Sequence, residues 1–474
     1  MNLLSKLEAY ARGGVYPFHM PGHKRRPDLA ALADPFALDI TEIDGFDNLH
    51  DAHGILADEM ARAAALWGSR QAFFLVGGST GGILAGIAAC ARRGDRVLVA
   101  RGAHKSVYNA LMLNGLRPTF LLPEADDAFG ISGSVSPAAV EHALAAQPDI
   151  RLVVVTSPTY EGVLSDIPAI AAAAHRHGAV LLVDEAHGAH LGLAQGFPSG
   201  ALAGGADIVV QSLHKTLPSL TQTALLHIGS ERVEADAVAE QLAVFETSSP
   251  SYPLMASIAA CVSLLERERA PLFAAYRSRL LRFDAALRPL KRLRVLCHGG
   301  DRAAAHPAFA DFDPGKLVVS ARGTPLTGPA LAERLRRTYR LEPEMSAGDY
   351  VLCMTSICDT DEGFSRLAAA LLEIDGGLPE APQIPAPPPL ILPPIRMPME
   401  EARALPGRCT PLAACAGRVS REFVWAYPPG IPLLTPGEEV TPALLNQFSR
   451  LAGAGVALKS TRGGLPDTLD IIDL

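Results

Sequence analysis

The chain has 474 residues, 49% apolar and 19% charged, with a formal net charge of −8. That length accommodates two or three domains with large cores. There is no dense basic run to meet nucleic acid, and no stretch approaches the roughly 18 apolar residues of a membrane span, so neither partner is expected.

Residues 1–50 read as an arm. A short helix is expected at 3–11, followed by Tyr16-Pro-Phe-His-Met-Pro-Gly-His-Lys24, which is too rich in Pro and Gly for a regular element. From 51 to 260 apolar strands alternate with helices. Strands are expected at 72–76, 96–100, 151–156, 179–184, 206–211 and 223–228, and helices such as 83–91 and 167–177 lie between them. The strands are continuous apolar runs, the mark of a mostly parallel sheet covered on both faces. This is an α/β pattern, with its chemistry expected at the carboxyl ends of the strands.

A helix is expected from 257 to 289, where Phe273, Tyr276, Leu280, Phe283 and Leu287 recur at gaps of three and four. A smaller α/β unit would complete 261–375, with strands at 316–320 and 350–355 and a last helix at 363–373. Residues 376–398 are dense in proline and read as an extended linker. Residues 399–474 would form a small C-terminal module.

The seven cysteines, at 90, 261, 297, 353, 358, 409 and 415, form no C-x-x-C pair. Reduced thiols in a cytoplasmic protein are expected, without a metal site. The first residues lack the apolar core of a secretory signal.

Gly77-Gly-Ser-Thr-Gly-Gly82 follows a strand and opens a helix. First-turn amides with the hydroxyls of Ser79 and Thr80 make an anion site. His104 follows the strand at 96–100 and is placed to stack on an aromatic ring. Asp184 ends one strand, with His187 and His190 just beyond it. Lys215 follows another in Gln211-Ser-Leu-His-Lys-Thr216, beside Ser212 and His214. A strand-end lysine with a strand-end aspartate is what pyridoxal phosphate (PLP) requires. The lysine holds the aldehyde as an imine, and the aspartate pairs with the pyridinium nitrogen. His187 supports Asp184 or touches the ring, and His190 reads as structural.

With these residues in view, the chain resembles the Orn/Lys/Arg decarboxylases of PLP fold type I, the aspartate aminotransferase-like fold, in their short bacterial form. The likeness runs through Phe18-His-Met-Pro-Gly-His-Lys24, Thr41-Glu-Ile-Asp-Gly-Phe-Asp-Asn-Leu-His50, Gly78-Ser-Thr80, His104-Lys-Ser106 and Ser157-Pro-Thr-Tyr-Glu-Gly162. It continues in Asp184-Glu-Ala-His-Gly-Ala-His190, Ser212-Leu-His-Lys215, Ser248-Ser-Pro-Ser-Tyr252 and Tyr427-Pro-Pro-Gly-Ile-Pro-Leu-Leu-Thr-Pro-Gly-Glu438. The resemblance implies that Ser79, Thr80, Ser212 and His214 bind the phosphate, His104 stacks on the ring, Asp184 holds the ring nitrogen and Lys215 forms the imine. It also implies a homodimer whose site receives Ser248 or Ser249 from the neighbouring subunit. Arg25, Gly77 and Gly102 depart from the family's usual residues.

The expected reaction is decarboxylation of arginine, lysine or ornithine to an amine that feeds polyamine synthesis. A cationic substrate tail calls for an acid, with Asp44, Asp47, Glu161 and Glu344 as candidates. Another reaction of the same fold (transamination or an aldol-type cleavage) and a non-catalytic paralogue are the competing readings. An aminotransferase would ordinarily clamp the α-carboxylate with an arginine, and no arginine here is marked for that by its setting.

Overall fold

The structure, a computed structural model, describes residues 3–29, 34–379, 390–427, 431–453 and 456–472. The proline run at 387–389 and residues 428–430 of the late motif lie outside the described residues.

The first sheet has seven strands: β1 (Gln71–Leu75), β2 (Arg96–Ala100), β3 (Arg117–Leu121), β4 (Ile150–Thr156), β5 (Val180–Asp184), β6 (Ile208–Gln211) and β7 (Ala224–Ile228). Their order across the sheet is β1-β7-β6-β5-β4-β2-β3. Only β7 runs against the rest, antiparallel to both β6 and β1. Along β4, β5 and β6 alternate side chains enter different cores. Leu152, Val154, Leu182 and Val210 face one, and Val153, Val155, Val183 and Val209 face the other. Both faces are thus covered, which is why these strands read as unbroken apolar runs. Six of the seven fall on expected stretches. The seventh, β3, contains Pro118 and pairs only with β2 at the sheet edge. An edge is where a residue without an N–H is tolerated in a strand.

Helix α1 (Gly78–Cys90) begins inside the glycine-rich turn, five residues ahead of the expected start at 83. Gly78 has φ of 73°, a left-handed conformation that glycine adopts without strain. Helix α2 (Lys105–Leu113) follows β2, and α3 (Ile167–Arg176) precedes β5. Helix α4 (Tyr252–Ala286) is 35 residues long, starts before the expected position and continues through Pro271. Its residues Phe273, Tyr276, Leu280 and Phe283 are buried, as their spacing requires.

A second sheet contains β8 (Arg294–Val295), β9 (Lys316–Ser320), β10 (Met345–Ala347) and β11 (Tyr350–Met354), in the antiparallel order β8-β9-β11-β10. The arm joins this part of the molecule, because Tyr16–Phe18 pairs in parallel with Leu341–Pro343. Helix α5 (Asp361–Gly376) closes it, with the Thr360 hydroxyl accepting from the Gly363 amide. The C-terminal segment has its own core around Leu434, Val440, Leu444, Phe448 and Ile471. Among the described residues no helix is long and apolar enough to cross a membrane, and all seven cysteines are free.

Candidate active site

Asp184 is the last residue of β5, level with Val210 of β6 and Thr156 of β4. It is 4% exposed and accepts the Ala186 amide at 3.1 Å. Strand β6 ends one position later, and the chain passes through buried Ser212 into the short helix Leu213–Thr216, which carries Lys215. Adjacent parallel strands therefore deliver a carboxylate and an amine to the same end of the sheet, where open α/β folds place ligands.

Lys215 Nζ lies 3.1 Å from His187 Nε2. Burial lowers the Lys215 pKa, while Asp184 and Glu344 pull it upward. His187 is held well below the usual histidine value, first by burial and then by the charges of Lys215 and Lys316. Its ring centroid is 4.7 Å from that of Tyr160. His104 sits at the N-terminus of α2, and its Nδ1 is 2.8 Å from the Ser106 hydroxyl. The residue is exposed to solvent. Burial lowers its pKa against the opposing pull of Asp184, with Lys215 adding to the decrease.

Ser79 and Thr80 occupy the first turn of α1, which has no side-chain cap. His214 Nδ1 is 2.9 Å from the Thr223 carbonyl oxygen, to which it donates. The hydroxyls of Ser212 and Thr216 are buried without a partner. Ser248 and Ser249 are exposed on the turn before α4. Among the described residues no hydrogen bond joins them to Asp184, His187 or Lys215.

The four acids have different settings. Asp44 is exposed. Asp47 accepts the amides of Asn48, His53, Gly54 and Leu56. Although burial opposes ionisation, these bonds hold Asp47 down at about 2. Glu161 is buried, accepts the Tyr350 hydroxyl at 2.9 Å and has a raised pKa, chiefly through burial. Glu344 accepts the Tyr160 hydroxyl at 2.6 Å and the Met20 amide at 2.8 Å, and its charge reaches both Lys215 and Lys316.

The arm reaches this site through a backbone contact. The Gly22 amide donates to the His214 carbonyl at 2.7 Å, and the Ser356 hydroxyl donates to the Gly22 carbonyl at 2.6 Å. A Cβ at Gly22 would lie 2.8 Å from the Leu217 nitrogen. Only glycine lets the arm approach the Lys215 turn so closely.

The profile of the Orn/Lys/Arg decarboxylase major domain matches residues 2–273, and that of the family's C-terminal domain matches residues 406–453. The chain belongs to the Orn/Lys/Arg decarboxylase family. The arginine decarboxylase of Halalkalibacterium halodurans is 32% identical, over 99% of this chain and 97% of its own length. The uncharacterized protein YaaO of Bacillus subtilis is 35% identical, over 95% of this chain and 94% of its own. Lysine decarboxylase A from Pseudomonas aeruginosa superposes with a TM-score of 0.78 at 21% identity, covering 99% of this chain and 80% of that one. The fold is PLP fold type I.

Two residues of this family member have no part in the sequence expectations. Lys316 opens β9, whose five residues are all buried, and its Nζ lies 2.8 Å from His187 Nδ1. A lysine at the head of an apolar run is the available signal. Glu246 accepts the amides of Val76 and Gly77 at 3.0 and 2.8 Å, at the rim of the glycine-rich turn. Nothing in its local sequence marks it, because the Val76 contact spans 170 positions.

Proposed function

We propose that the chain is a PLP-dependent decarboxylase of a basic amino acid: arginine, lysine or ornithine. The observation that carries this reading is the arrival of Asp184 and Lys215 at the ends of neighbouring parallel strands, with His187 against the lysine amine. Relatives named arginine decarboxylase at 31–32% identity over at least 92% of the chain support the substrate class.

The residues present fit the cofactor. The partnerless hydroxyls of Ser212 and Thr216 and the uncapped first turn of α1, with Ser79 and Thr80, offer donors to a phosphate. His214 already gives its Nδ1–H to Thr223, so it can donate to a phosphate oxygen through Nε2 only when protonated. A neighbouring dianion stabilises that form. Lys215 would take the aldehyde, Asp184 would face the pyridine nitrogen and His104 would cover the ring.

When bound, PLP supplies the electron sink for the pair left as the Cα–carboxylate bond breaks. Asp184, buried at the end of β5, would hold a proton on the nitrogen facing it. His104 would restrain the ring it covers. The Lys215 amine stands beside His187 and would be placed to return a proton to Cα. Glu344 is the acid best placed to meet a cationic substrate tail, since its charge reaches Lys215. We read the active form as a homodimer with Ser248 or Ser249 contributed across the interface, consistent with their exposure. The free thiols fit a reducing, cytoplasmic setting.

The test is a panel of amino acids given to PLP-loaded protein, with carbon dioxide, amine and keto acid measured together. Carbon dioxide and the amine from a basic amino acid, lost in Lys215→Ala, is the expected result. Keto acid as the main product, or full activity in Lys215→Ala, overturns the proposal.

A further inference from the structure

His187 lies between two lysine amines: Lys215 Nζ at 3.1 Å from Nε2 and Lys316 Nζ at 2.8 Å from Nδ1. A neutral imidazole has one N–H and one lone pair, and an ammonium group only donates. If both lysines were protonated, one ring nitrogen would present a hydrogen to an ammonium. Two bonds to a neutral ring therefore require at least one neutral amine, the one that accepts from the ring N–H. The alternative, an imidazolium between two neutral amines, is opposed by burial of the ring.

The surroundings suit a shared proton. Lys316 is 1% exposed and faces Asp313, Lys215, Glu344 and Glu161. Burial, above all, brings its pKa down to about 8, so a neutral Lys316 is accessible near physiological pH. Burial lowers the Lys215 pKa, while Asp184 and Glu344 work against that and favour its charged form, the wrong form for a nucleophile.

We propose that His187 and Lys316 form a proton relay that accepts the proton Lys215 must lose to become a free amine. In the transfer, a Lys215 Nζ–H bond breaks as a His187 Nε2–H bond forms. The His187 Nδ1–H bond breaks as an Nζ–H bond forms on Lys316. One positive charge is present before and after, and it moves from the turn after β6 to β9. Lys316 is thus a positioning residue acting through His187. The proposal builds on the reading of Lys215 as the amine that takes the aldehyde.

The test uses the full-length protein purified without cofactor. Reductive methylation with formaldehyde and an amine–borane across a pH series, followed by peptide mass spectrometry, reports the neutral fraction of Lys215. Lys316→Met should move the midpoint up by about one pH unit, a roughly tenfold slower labelling below it. Lys316→Arg should move it down, because a fixed cation bonded to Nδ1 leaves Nε2–H pointing at a neutral Lys215. In a His187→Asn background, Lys316→Met should produce no further shift, since the link is already cut. A loss of packing alone would not give opposite signs for Met and Arg. Unchanged midpoints in folded Lys316→Met and Lys316→Arg overturn the relay, and so does a shift that survives His187→Asn. Lys316→Gln replaces Met if circular dichroism shows that Met disrupts the fold. Borohydride reduction of PLP-loaded protein, with the label mapped, tests the Lys215 assignment separately and leaves the methylation result standing.

Discussion

Arg101 and Glu438 form a two-bonded ion pair at 2.7 and 2.8 Å, with both side chains almost wholly buried, 1% and 0% exposed. Arg101 follows β2 and leads into the turn that carries His104, and Glu438 belongs to the C-terminal segment. The pair ties that segment to the cleft. Glu438 also accepts the Thr435 amide, and Arg101 donates to the Pro432 carbonyl at 3.1 Å. Removing one partner leaves a buried, uncompensated charge, which costs about 3–5 kcal/mol. Glu438→Gln should lower unfolding stability by that amount in urea titrations. The double variant Arg101→Met with Glu438→Leu should recover a large part of it. A loss below about 1 kcal/mol for Glu438→Gln would show that the pair does not hold the two parts together.

Lys24 is buried in the arm, and its amine donates to the carbonyls of Pro17, His19 and Met354 at 3.1, 3.0 and 2.8 Å. Asp359 lies 4.0 Å away. One ammonium thus satisfies three backbone oxygens from two separate parts of the chain. Lys24→Met should cost about 3–5 kcal/mol, since it leaves Asp359 buried without its cation. The arm should then be cut by protease near residues 19–26 much faster than in the unaltered protein. Equal cleavage rates would remove Lys24 as the fastener.

His306 is buried with Asp126 Oδ1 2.7 Å from Nδ1 and Asp301 Oδ2 2.8 Å from Nε2. Two acceptors require both ring nitrogens to carry hydrogens, so the ring is an imidazolium. Cys297 and Asp301 also lie close enough to His306 to resemble a metal-ligand cluster, but both nitrogens of the ring are already engaged. Burial opposes the charge, yet the bonds to Asp126 and Asp301 raise the His306 pKa. A raised folded value gives stability that is complete below the unfolded pKa of about 6.5 and is lost as pH rises through the folded one. The stability gap between the wild type and His306→Gln should be widest below about pH 6.5 and narrow as the pH rises above that. A gap independent of pH would refute the charged ring.

Much of this is legible in the sequence where function depends on local runs. Strand β2 spans its expected run at 96–100, and Asp184 and Lys215 follow the strands that deliver them. What the sequence conceals is long-range pairing. Lys316 contacts a histidine 129 positions away, and Glu438 meets an arginine 337 positions away. Neither pairing can be read from its own stretch of sequence, because each contact is made by the fold that brings the two residues together. Strand β3 escapes a reading by apolar runs because Pro118 breaks the pattern, although an edge position tolerates it.

Glu344 separates substrate recognition from the rest of the site. Its two oxygens accept from Tyr160 and the Met20 amide, and its charge is felt at Lys215. Asp47 is committed to backbone amides and Glu161 to Tyr350, so Glu344 is the candidate acid whose charge bears on the reacting amine. Glu344→Gln preserves shape and removes the charge. A charged hydrogen bond is worth about 1.5–3 kcal/mol, so KM for the basic substrate should rise by roughly ten- to a hundredfold. The same variant should lower the Lys215 labelling midpoint, because the carboxylate that favours the ammonium form is gone. Asp44→Asn, made on the exposed arm, serves as the comparison. If it raises KM as much as Glu344→Gln does, the acid that meets the substrate tail lies on the arm, and Glu344 acts only on the lysines.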